Sequence, residues 1–162
     1  MLDALRRHAY GRVRANAVEA VARRARVGPG RRADALIEHK NDVHHRVRAC
    51  AIRGMFHRGR MFGEAVGMLM EPAAAEALGA MLCDERPMHR VAGVWLADRM
   101  LGSGVGQPDL AGRIADMARS DPDEGARTRA ARAAARLMAG VRNGWRERAA
   151  DVGGGRLLES AP

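Results

Sequence analysis

Aromatic residues are scarce in this 162-residue chain: two Phe, two Trp and one Tyr make up 3% of it. With so few rings, and no alternating run of β-branched residues, no segment carries the pattern of a half-buried strand. Lysine is rarer still. Lys40 is the single example, so the basic side chains are arginines, as a GC-rich coding sequence produces without selection for binding. Cysteine is limited to Cys50 and Cys83, which form no CxxC pair. They read as free, buried thiols in a reducing compartment. No apolar stretch approaches the ~18 residues a spanning helix needs. The opening MLDALRRHAYGRVR has no apolar core of the kind an export signal carries. A cytoplasmic location is the expectation.

What the chain does have is 47% hydrophobic residues, mostly Ala, Val, Leu and Met. These favour helix over strand, and the length suits one domain with a buried core. The expected fold class is all-α. The formal net charge is +9, which invites an anionic partner. Its distribution is uneven. Residues 1–60 hold 15 Lys and Arg against 5 Asp and Glu, whereas residues 61–162 hold 13 against 14.

Self-comparison reveals a repeat. GRVRANAVEAVARRA at 11–25 lies over HRVRACAIRGMFHRG at 45–59 without a gap. Each has Val-Arg first (Val13, Arg14; Val47, Arg48), then Ala17 or Ala51, Val18 or Ile52, a small residue (Ala20 or Gly54) and a larger apolar one (Val21 or Met55). These offsets mark one face of a helix. A third copy runs from Ala126-Arg127 through Ala130, Ala133 and Leu137; a fourth, HRVAGVWLADRML at 89–101, is degenerate because Ala92 follows Val91 where an arginine is expected. With Val13, Val47, Val91 and Ala126 taken as equivalent, the spacings are 34, 44 and 35, a period that suits helix pairs. Partner helices are expected around 33–40, 73–84 and 109–120, with RMFGEAVGMLME an extra helix or a continuation past Gly59. Asp121-Pro122-Asp123-Glu124 reads as a helix start with Asp121 as cap, Asn41-Asp42 and Asp84-Glu85-Arg86-Pro87 do similar duty, and Gly28-Pro29-Gly30, Gly59 and Gly102-Ser103-Gly104 read as helix ends. The expected organisation is a repeat domain over 1–142 and a tail over 143–162. The predicted core includes Val13, Ala17, Val47, Ala51, Leu78, Leu82 and Leu137.

The pattern of an acid followed by Val-Arg-x-x-Ala-Ala-x-Ala-Leu, in NDVHHRVRACAIRGM and DPDEGARTRAARAAA, resembles bacterial HEAT repeats over roughly residues 1–140. The resemblance implies an α-solenoid of about four helix pairs, curved and right-handed. It also implies a ladder of arginines at Arg14, Arg48 and Arg127, with Asp42 and Asp121 or Asp123 as their acids. Some HEAT-like proteins resemble DNA glycosylases, which brings Trp95, Trp145 and Asp98 into view. Trp95, however, reads more simply as a core filler.

Residues that might carry chemistry do not converge. His8, His39, His44, His45, His57 and His89 include no HxxxH on one helix, so surface or capping roles are expected and no metal. GSGVG at 102–106 lacks the lysine of a phosphate loop and any preceding strand. Ser103, Ser120 and Ser160 stand outside any triad motif. No catalytic residue and no cofactor is expected. The candidate binding surface is the N-terminal set Arg6, Arg7, Arg12, Arg23, Arg24, Arg26, Arg31 and Arg32. The expected function is a non-catalytic protein-interaction scaffold with a protein partner; nucleic acid on the basic N-terminal face is the alternative, and a HEAT-like DNA glycosylase the third. With only MLDALRRH ahead of the first Val-Arg helix, an apolar strip of Leu2, Leu5, Val18 and Val21 is expected at the N-terminal edge, a possible route to a homo-oligomer.

Overall fold

A computed structural model describes residues 2–25, 33–61, 64–101 and 108–153. Among them the apolar spacing folds into eight helices and no strand: α1 (Leu2–Arg6), α2 (Gly11–Ala25), α3 (Ala33–His39), α4 (His45–Met61), α5 (Glu64–Leu82), α6 (Pro87–Leu101), α7 (Pro108–Ser120) and α8 (Glu124–Gly153). None is long and apolar enough to cross a membrane. Packing follows chain order. The even-numbered helices form a row, α2 on α4, α4 on α6 and α6 on α8, and α1, α3, α5 and α7 each pack on the helix that follows. One continuous core runs through α2 to α8, with Val18, Leu36, Val47, Ile52, Leu78 and Leu96 fully enclosed.

Close approach depends on small residues. A Cβ added at Gly54 would stand 2.8 Å from the Ala22 Cβ and 3.0 Å from Leu36, so α4 needs glycine there to seat against α2 and α3. Ala17 and Ala51, also small, are buried as well. Of the predicted core, Val13 is half-buried and Leu137 is partly buried against the cluster; the other members are enclosed.

The turns that start the even-numbered helices share one design. Asp42 Oδ1 accepts the backbone N–H of His44 (2.8 Å), Asp84 Oδ1 that of Arg86 (3.0 Å) and Asp121 Oδ1 that of Asp123 (2.9 Å). At the first turn His8 stands in, its Nδ1 accepting from the Tyr10 N–H at 3.1 Å. Such side-chain acceptors satisfy donors that a tight turn otherwise strands. Six residues after each of these comes an arginine: Arg14, Arg48, Arg90 and Arg127. Arg14 donates back to the carbonyls of His8 and Ala9 (2.9 and 2.8 Å) and forward to both oxygens of Asp42 (2.9 and 3.1 Å). Arg90 repeats this with the carbonyls of Asp84 and Glu85 and with both oxygens of Asp121 at 2.8 Å. Arg127 holds the carbonyls of Asp121 and Pro122. Arg14, Arg90 and Arg127 thus clamp their own turns, and Arg14 and Arg90 also clamp the next one.

The second rung differs. Arg48 reaches Asp84 through a single bond of 3.2 Å, and its Nε has no partner among the described residues. Asp84 is held more closely by Arg86 at 2.8 Å, and the Val43 carbonyl is taken by Arg86 and His89. The Arg86 bonds are the first cause that draws Asp84 below the usual carboxylate range, against burial. For Asp121 the Arg90 bonds do the same, while for Asp42 burial pulls upward and is outweighed by Arg14.

These contacts correct the reading of the fourth copy. Arg90, not the residue after Val91, is the rung arginine, so the spacings from Arg14 become 34, 42 and 37. In that frame Gly93, Val94 and Ala97 fall where Ala17, Val18 and Val21 stand, and all three are buried. His89 takes the place of Val13 and Val47, enclosed at 3% exposure and bonded to the Val43 carbonyl.

Other expectations also shift. Asp123, not Asp121, caps α8, accepting the Ala126 N–H at 2.8 Å. Gly59 does not end a helix, since α4 continues to Met61 at the modest cost of one interior glycine. The 64–71 segment joins 73–82 in α5, with the exposed Pro72 inside the helix. Cys50 is buried but Cys83 is exposed. His39 and His89 are buried, not surface residues. Val18 and Val21 lie in the core, so they do not form the apolar strip expected at the N-terminal edge. The boundary expected at 142 falls inside α8. Gly28-Pro29-Gly30 and Gly102-Ser103-Gly104 lie outside the described residues.

Candidate functional site

Residues on one face of a helix recur every three or four positions, and that spacing builds a groove along the row of even-numbered helices. Helix α4 supplies Arg46, Ala49, Cys50 and Arg53; α6 supplies Met88, Val91, Ala92 and Trp95. Glu19 of α2 and Arg129 of α8 close the two sides, and His45 stands at the start of α4. The groove encloses about 400 Å³, within the ordinary range of ligand sites.

The floor is apolar and the walls are charged. Ala49 and Cys50 are buried, Val91 and Ala92 half-buried, and Met88 is 55% exposed despite its apolar side chain. Trp95 is half-buried against the core, as a filler is, yet it also borders the groove. The Arg99 and Arg53 guanidiniums lie 4.9 and 5.7 Å from its ring centroid, within cation–π range. Arg53 also donates to Glu19 at 3.0 Å, and Glu19 accepts from Arg23 at 3.1 Å. Burial alone pushes the Glu19 carboxyl upward, but the two guanidiniums outweigh it and keep the group ionised. Arg46 and Arg129 form no ion pair among the described residues.

His45 stacks on His44 at 4.7 Å and meets His89 edge-on at 5.9 Å. Burial first, then the charges of His44, His89 and Arg46, push its pKa down, so the ring is neutral at pH 7. Among the described residues no group of His, Cys, Asp and Glu is arranged to hold a metal ion. The Cys50 thiol is pushed up chiefly by burial, away from the reactive thiolate.

The N-terminal arginines do not form the surface expected of them as a set. Arg6 is buried between Asp3 at 2.7 Å and Glu38 at 3.1 Å, close to His39. Arg7 is exposed, 3.7 Å from Glu38. Arg12, Arg23 and Arg24 are exposed, and Arg23 is paired with Glu19. Arg26, Arg31 and Arg32 lie outside the described residues. What the sequence reading missed is Arg46, Arg53 and Arg129, dispersed in the chain and gathered only by packing. The one signal available was the seven-residue interval of Arg46 and Arg53, matched by Met88 and Trp95 on α6. Asp98, the acid noted beside Trp95, is bonded through both oxygens to Arg136 at 2.6 and 3.2 Å. No family model, curated protein or solved structure matches the chain.

Proposed function

We propose that the chain is a HEAT-like α-solenoid acting as a non-catalytic binding module, with the groove along α2, α4, α6 and α8 as its contact surface for a partner protein. The single observation that carries this reading is the pairing of an apolar floor with two arginines, Arg46 and Arg129, that have no ion partner among the described residues. Ion-paired arginines elsewhere are consumed by the fold, whereas these two are left for a ligand. The neighbour-to-neighbour packing and the recurring arginine rungs support the solenoid. A cytoplasmic setting belongs to the same proposal, since the exposed Cys83 thiol persists best under reducing conditions.

A second reading, nucleic-acid association, draws on the spread of groove arginines from α4 to α8. The glycosylase reading is weaker, because Arg136 already neutralises Asp98. Capture from an extract of the native cell, with nuclease controls, tests the proposal when run beside a groove-filled variant, Ala92→Trp. Partners retained by the original chain and lost from the folded variant are the expected result. An identical captured set, or a nuclease-sensitive one, overturns it.

A further inference from the structure

The groove's chemistry specifies its occupant more narrowly. We propose that it takes an acidic peptide segment of a partner protein, with carboxylates on Arg46 and Arg129 and one apolar side chain on the floor between Ala49 and Ala92. This inference rests on the groove being the contact surface.

Charge complementarity carries it. Three arginines line the groove against the single carboxylate of Glu19, and Glu19 is already held by Arg53 and Arg23. An incoming anion therefore meets two guanidiniums with no internal competitor among the described residues. Guanidinium binds carboxylate in a planar, two-bond fork. The apolar floor answers a second requirement: Met88, Val91 and Ala92 keep exposed carbon surface that an ion alone leaves wet, whereas a leucine-like side chain covers it.

The same features argue against a nucleic acid. The Trp95 ring is engaged by Arg53 and Arg99, so base stacking must first displace a guanidinium. Sugar and phosphate have nothing to offer the apolar floor.

The probe is a fluorescein-labelled peptide, Asp-Asp-Leu-Leu-Asp-Asp, titrated against the full chain by fluorescence anisotropy. Its comparisons are a peptide with serines for the leucines and a single-stranded oligothymidylate of equal charge. Binding of the leucine peptide is expected, falling as salt rises. It should weaken about tenfold or more with Arg46→Glu, Arg129→Glu or the milder Arg46→Gln and Arg129→Gln. Arg119→Ala, on α7 and paired with Asp116, should leave it unchanged. The serine peptide should bind more weakly. Circular dichroism confirms that each variant is folded.

Equal binding of the two peptides, tighter binding of the oligothymidylate, or indifference to both arginines overturns the proposal. Failure of every acidic peptide, while Ala92→Trp still strips the captured partners, overturns the occupant and leaves the groove reading standing. If Ala92→Trp also leaves capture unchanged, both fall.

Discussion

The turn edge and the groove are built from the same residue type, and they use it in opposite ways. At the turn edge Arg14, Arg48, Arg90 and Arg127 are each the fourth residue of an even-numbered helix. From that position Arg14, Arg90 and Arg127 reach back over their own turns, and Arg14, Arg48 and Arg90 reach forward to the next acid. In the groove, Arg46 and Arg129 sit two residues either side of that position and find no acid among the described residues. A shift of two residues turns an arginine by about 200° around a helix, from the saturated edge to the open face. Net charge is therefore a poor guide to binding here. Position within the helix decides whether an arginine is internal cement or available to a partner.

The largest expected effect is at the best-satisfied rung. Arg90→Ala leaves Asp121, 3% exposed in its side chain, without its guanidinium, and should cost about 3 kcal/mol or more in urea unfolding. Arg48→Ala should cost less, because Asp84 keeps Arg86. A loss at Arg48 equal to that at Arg90 would show the rungs to be alike and the comparison too fine. Next come the small residues. Gly54→Ala brings a Cβ against the fixed Ala22 Cβ, and Ala51→Leu overfills a site with no exposure. Each should cost about 1–3 kcal/mol. Gly93→Ala should cost less, since its Cβ meets the movable end of Leu82.

Acid sharpens the comparison further. Asp121 has a lowered pKa in the fold, so its contribution is complete above the unfolded value of about 3.9. It is lost as pH falls through the folded value. The stability gap between the original chain and Asp121→Asn should therefore be widest near neutrality and close as pH drops below 4. His39, His45 and His89 are also lowered, in each case chiefly by burial. The unfolded chain then takes up protons first, and stability should begin to fall below about pH 6.5. A flat profile between pH 7 and pH 5 would contradict the burial of these rings. The smallest effect belongs to exposed arginines: Arg12→Ala and Arg24→Ala should change stability by no more than about 0.5 kcal/mol.

Helices and core were largely legible from sequence because both depend on local periodicity. The Val-Arg copies at 13–14 and 47–48 marked α2 and α4, and Leu78 and Leu82 marked the buried face of α5. The third rung was obscured because His89 occupies a position filled elsewhere by valine, so matching on apolar residues slipped the frame by two. The six-residue interval from Asp42 to Arg48, Asp84 to Arg90 and Asp121 to Arg127 carries the register more faithfully than the apolar pattern does. The groove was not legible. Arg46, Trp95 and Arg129 are far apart in the chain, and only the packing of three helices makes them neighbours. Charge counting pointed instead to the N-terminus, where Arg6 proves to be buried between two acids.

The most direct test of the division between turn edge and groove is a crossed comparison of Arg90→Ala with the double variant Arg46→Gln/Arg129→Gln. Urea unfolding and binding of the acidic leucine peptide are measured on both. Arg90→Ala should lose about 3 kcal/mol of stability and keep the peptide affinity of its folded fraction. The double variant should unfold within about 0.5 kcal/mol of the original and lose the peptide. Stability lost in the double variant, or peptide affinity lost in Arg90→Ala while it remains folded, would contradict the division.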